Sequence, residues 1–147
     1  MDDQPVRAVP SGRNHLTELR NLHLLLEYDG AAFAGWQLQV GHRTVEGELR
    51  RAVRDVTGEA PKIVAAGRTD AGAHAEGQVV SFHYAGRLSV ARLLAALNAC
   101  LPDDVAVLDV AEADPHFHAR YSARWRRYRY RYLDRPARPA LDRGRSR

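Results

Sequence analysis

The chain has 147 residues, 45% of them hydrophobic and 27% charged, and a net charge of +4. That length suits one domain with a real core and is too short for two full ones. A single cysteine, Cys100, excludes an internal disulfide, and the longest purely apolar run, residues 93–97, is far too short to cross a membrane.

Residues 1–19 read as a polar, poorly ordered tail without the apolar run of a signal peptide, so the protein is expected to be cytoplasmic. Residues 21–28 (NLHLLLEY) predict a largely buried strand, and Asp29-Gly30 a turn. A long loop over residues 31–43 carries Phe33 and Trp36; long ordered loops are often functional. Thr44 is placed to cap a helix whose apolar residues Val45, Leu49, Ala52, Val53 and Val56 recur at helical spacing, and Gly58 to close it. A short strand over residues 62–66 leads into the glycine-bearing loop 67–75, and residues 78–84 (QVVSFHY) form a strand. Ser89 caps a second helix over residues 90–100, with Cys100 read as a core residue at its end. Residues 105–110 (VAVLDV) alternate strictly and predict another strand, and residues 125–133 a last one. Up to residue 110 the order is β-α-β-β-α-β. That order predicts an α+β, ferredoxin-like antiparallel sheet with both helices on one face and the other face free.

Two segments carry chemistry. In the loop 67–74, Gly67 and Gly72 bracket Arg68, Thr69 and Asp70. Glycines permit tight turns and close approach of a substrate. A carboxylate beside an arginine stays ionised and can act as nucleophile or base; the alternative is a tight turn in which Asp70 bonds nearby amides. The second segment is basic. Residues 120–147 hold 11 arginines against Asp134 and Asp142, whereas residues 1–119 carry a balance of −5. Within it, residues 126–132 (RRYRYRY) would place Tyr128, Tyr130 and Tyr132 on one strand face and Arg127, Arg129 and Arg131 on the other. Such a strand could stack bases and bind phosphates, or could simply be half-buried. Of the seven histidines, His116 and His118 form an i, i+2 pair, but no second cysteine and no HExxH pattern completes a metal site. The residues alone therefore support an RNA-directed enzyme or an RNA-binding module.

Three blocks carry a resemblance. GRTDAGAHAEGQVV (residues 67–80), EYDGAAFAGWQLQ (27–39) and FHARYSARWRRYRY (117–130) resemble, in order and spacing, motifs of the tRNA pseudouridine synthase A family; RTVEGEL and LNACLPDDVAV are similar too. The resemblance spans residues 21–140. It implies isomerisation of uridine to pseudouridine at tRNA positions 38, 39 and 40, in the anticodon stem-loop, without cofactor or metal. It makes Asp70 the nucleophile, attacking either the ribose C1′ or the uracil C6. Arg68 would fill the gap left by the flipped nucleotide or hold its phosphate, and Tyr128 would stack on the uracil. Family members continue into a second, similarly folded unit that completes the cleft, and they are usually homodimeric. Residues 20–140 are thus expected to be the catalytic N-terminal domain, followed by a polar end over residues 141–147. The alternatives are a non-catalytic RNA-binding module of RRM type, which shares the element order, and an inactive fragment of the synthase.

Overall fold

The computed structural model describes residues 18–146. Most of the expected tail, residues 1–17, lies outside them, as does residue 147. In chain order the elements are β1 (Arg20–Tyr28), a single 3-10 turn (Gly30–Ala32), α1 (Val45–Thr57), β2 (Val64–Ala65), β3 (Ala75–Tyr84), α2 (Val90–Cys100) and β4 (Val105–Glu112). The four strands form one sheet in the order β2-β3-β1-β4, with every neighbouring pair antiparallel.

The two-residue side-chain period of a strand sorts the core. Leu22, Leu24, Leu26 and Tyr28 of β1 are buried with Val80, Phe82 and Tyr84 of β3. Val45, Leu49 and Val53 of α1 and Leu93 and Leu97 of α2 join the same apolar cluster. Both helices are capped where expected. The Thr44 hydroxyl accepts the Gly47 N–H, Gly58 takes a left-handed conformation (φ 72°), and the Ser89 hydroxyl accepts the Arg92 N–H.

Four expectations need correction. Residues 125–133 form no strand. A strand needs a partner for its backbone groups, and β2 offers only two residues; the Ala66 carbonyl just beyond it accepts the Arg126 Nε–H instead of a backbone amide. Cys100 is exposed. The buried helical positions Leu93 and Leu97 are followed by Leu101, which leaves Cys100 on the solvent side. β4 does not alternate strictly. Leu25 pairs with Asp109 and Leu26 with Val107, so Leu108 is an extra, exposed residue, and burial steps from Val107 to Val110. Finally, the second sheet face is partly covered. The Asn21 amide donates to the Asp114 and Phe117 carbonyls, the Phe117 ring meets His23 edge-on, and the Ala119 N–H donates to the Ser81 hydroxyl.

Candidate active site

The loop 67–74 and the loop after β1 are built against each other. Between Leu26 and Tyr28 the register with β3 shifts, from Gln78 opposite Leu26 to Ala75 opposite Tyr28. This bulge bends the start of β3, and with it the preceding loop, over the end of β1. Gly30 then backs directly onto Ala73: a Cβ at Gly30 would lie 1.8 Å from the Ala73 carbonyl oxygen. Gly35 does the same further along. Its φ of +92° is one that L-residues rarely adopt, and a Cβ there would lie 2.8 Å from the Thr69 oxygen. Two of the three sequence blocks are thus the two halves of one close backbone contact.

Hydrogen bonds fix the loop from beneath. The Trp36 N–H donates to the Thr69 carbonyl at 3.0 Å, and the Gly72 N–H to the Phe33 carbonyl at 3.2 Å. The Gln78 amide donates to the Gly67 carbonyl at 2.6 Å. The Tyr28 and Thr69 hydroxyls lie 2.6 Å apart. His74 Nδ1 accepts the Gly30 N–H at 3.0 Å, and Nε2 lies 2.6 Å from the Gly144 carbonyl. Nδ1 also lies 3.1 Å from the Asp29 carboxylate. Burial holds the Tyr28 hydroxyl above the usual phenol range, with the Thr69 and Gln78 side chains pulling the other way, so it stays protonated at neutral pH.

The loop's own functional side chains are left out of this network. Asp70 and Arg68 are exposed, and among the described residues neither side chain has a hydrogen-bond or ion-pair partner. The turn reading of Asp70 holds for its backbone, whose carbonyl accepts the Ala73 N–H at 3.0 Å, and not for its carboxylate. Phe33 and Trp36 of the long loop are core residues, 4% and 3% exposed, rather than free aromatic surface.

The basic segment meets the loop at its start. The Tyr128 hydroxyl lies 3.3 Å from where a Cβ of Gly67 would be, and Arg126 packs alongside. Arg126 also donates to the Ala66 and Arg120 carbonyls. Tyr128 therefore stands one residue from Arg68 along the loop. It is 61% exposed, Tyr130 and Tyr132 more so, and Trp125 lies nearby under the Arg127 guanidinium. No tyrosine of the three is a core residue, so the half-buried reading of this segment is not realised. A concavity of about 710 Å³ lies at the other end of β1, between Arg20, Arg87 and Ser89, and includes neither Asp70 nor Tyr128. His118 stacks on Tyr121 and its Nδ1 accepts the amides of Arg120 and Tyr121. Among the described residues no three His, Cys, Asp or Glu side chains converge as a metal site would require.

An ion pair steadies the long loop. Arg43 reaches Asp104 with two parallel hydrogen bonds, 2.7 and 2.9 Å, while its guanidinium covers the Phe33 ring. Arg43 holds the Asp104 carboxyl below the usual carboxylate range, hydrogen bonding outweighing partial burial. A depressed carboxyl stabilises the fold above its unfolded pKa, and that contribution is lost as pH falls through the folded one. Below about pH 4 the parent should therefore lose stability that an Asp104→Asn chain has already lost. For a partly exposed pair the difference is about 0.5–1 kcal/mol, measurable as converging urea midpoints at acid pH; parallel midpoints would show that the pair contributes nothing.

No sequence pattern marked Tyr28, Gln78 or His74 as supports of the loop. All three lie inside the recognised blocks, but Tyr28 and His74 find their partners 41 and 44 residues away in the chain, and Gln78 finds its own at the far end of the same loop.

What these elements define is an α+β domain that presents one free carboxylate on a rigidly held loop, beside an exposed strip of tyrosines and arginines. The chain belongs to the tRNA pseudouridine synthase family, whose model matches residues 25–122. It is 50% identical over 116 residues to tRNA pseudouridine synthase A of Methylococcus capsulatus, covering 79% of this chain and 43% of that protein. It is also 50% identical over 113 residues to the enzyme of the same name from Geobacillus sp. (76% and 46% covered). With that of Caldicellulosiruptor bescii it shares 39% identity over 123 residues (84% and 50% covered). The chain thus spans about half the length of the curated relatives it matches. Among the described residues no helix is long and apolar enough to cross a membrane.

Proposed function

We propose that residues 20–140 are the catalytic, N-terminal domain of a tRNA pseudouridine synthase, with a ferredoxin-like sheet, acting on uridines of the anticodon stem-loop. The observation that carries this reading is the contrast within one loop: a backbone held at many points and an Asp70 carboxylate left free. A nucleophile must be reachable and held in place, and this arrangement supplies both. The isomerisation needs no co-reactant. The C1′–N1 bond breaks, the uracil turns, C5 bonds to C1′, the C5 proton leaves to solvent, and N1, freed from the sugar, takes up a proton. Asp70 attacks C1′ or C6 and is released at the end. Arg68 takes the place or the phosphate of the extruded nucleotide, whose unstacking costs about a few kcal/mol. Tyr128 stacks on the uracil. The arginines of the last fifth of the chain meet the phosphate backbone. The full-length form works in the cytoplasm as a homodimer, with tRNA bound across both subunits.

An RRM-type module stacks bases on aromatic residues of its open sheet face. Phe82 and Tyr84 of β3 are instead buried in the core shared with the helices, which favours the enzyme. The deciding experiment is tritium release from tRNA carrying 5-³H-uridine, because only replacement of the C5–H bond frees the label. Catalytic release by this chain supports the proposal. Binding without release would favour the RNA-binding module or the inactive fragment.

A further inference from the structure

We infer that Tyr28 is a positioning residue of this site: through its hydroxyl contact with Thr69 it sets the height and orientation at which the loop presents Asp70. The inference rests on the proposed role of Asp70. Tyr28 is the last residue of β1 and is 4% exposed, so its ring is fixed by the core. It sits against Trp36, with ring centroids 6.2 Å apart, and Trp36 is the residue whose N–H holds the Thr69 carbonyl. Thr69 is thus gripped twice, at its side chain by Tyr28 and at its carbonyl by Trp36. Two residues earlier Gln78 grips the Gly67 carbonyl. These contacts bracket Arg68 and end one residue before Asp70, and among the described residues neither the Arg68 nor the Asp70 side chain has a partner of its own. A residue next to a double anchor inherits its backbone position from that anchor. Slight misplacement of a reacting group, on the order of 1 Å, costs about a hundredfold in rate.

The test uses Tyr28→Phe, which keeps the ring and its packing, with Thr69→Val and Thr69→Ser, of which only Ser keeps the hydroxyl. Amide hydrogen exchange is read at Trp36 and Gly72, the N–H groups that tie the two loops, with the β1–β3 ladder as reference. The expected result is faster exchange at those two amides in Tyr28→Phe and Thr69→Val, near-parental exchange in Thr69→Ser, and an unchanged ladder. Parental protection in Tyr28→Phe overturns the inference, whether or not the chain turns over tRNA. If the parent releases tritium, Tyr28→Phe and Thr69→Val should lower kcat by about tenfold to a hundredfold with KM for tRNA within about twofold, and Thr69→Ser should restore it. Parental kcat in Tyr28→Phe also overturns it. A parent that releases no tritium counts against the synthase reading of this chain, and the exchange data alone then decide the role of Tyr28.

Discussion

An Asp70→Ala chain is expected to fold like its parent, bind tRNA at least as well, and release no tritium. Each part has a separate physical cause. The carboxylate is exposed and unpartnered among the described residues, so its removal breaks no contact and should shift stability by no more than about 0.5 kcal/mol. On the proposed reading arginines meeting phosphates carry the binding, and a carboxylate repels the RNA backbone; deleting it leaves affinity unchanged or slightly raised. Turnover, by contrast, loses the group proposed as nucleophile. Loss of a nucleophile costs about 10⁴-fold or more, which puts release below detection. Urea melts, a tRNA filter-binding titration and the tritium assay together check all three parts. Pseudouridine made by Asp70→Ala would remove Asp70 from the mechanism. A large loss of stability would mean that the loop uses the carboxylate structurally.

The readable part of this protein is the part governed by local rules. Thr44, Ser89 and Gly58 mark helix ends because capping depends on a few consecutive residues, and the apolar periods of α1, β1 and β3 depend on nothing outside those segments. The departures arise where a distant partner decides. Residues 126–132 alternate as a strand does, yet the neighbouring edge strand is only two residues long and the alternation goes unused. The β4 bulge at Leu108 reflects its pairing with β1, which VAVLDV alone does not contain. The site divides in the same way. Asp70, Arg68 and Tyr128 were readable as chemistry-bearing residue types and through a resemblance. Tyr28, Gln78 and the close Gly30–Ala73 approach were not, because a tyrosine ending an apolar strand looks like core until its hydroxyl is seen against Thr69.

Gly30→Ala is expected to be the most damaging single methyl that can be added to this loop pair. The new Cβ would lie 1.8 Å from the Ala73 oxygen, 2.5 Å from its carbonyl carbon and 3.1 Å from its nitrogen. All three are backbone atoms, so no side chain can swing aside. A normal carbon contact is about 3.5 Å, so one loop must retreat by more than an ångström. That retreat strains the bond from the Gly30 N–H to His74 and, through the loop, the anchors on either side of Asp70. Overpacking of this kind costs about 3 kcal/mol, and the displaced loop should also lose most of its turnover. Gly41→Ala is the control: Gly41 is also left-handed, at φ +76°, but nothing lies within 4 Å of its added Cβ, so it should cost about 1 kcal/mol and spare activity. Urea midpoints of the two variants separate backbone collision from glycine flexibility. Equal midpoints would mean that the two loops are not in contact as described, and the rigid presentation of Asp70 would fall with that contact.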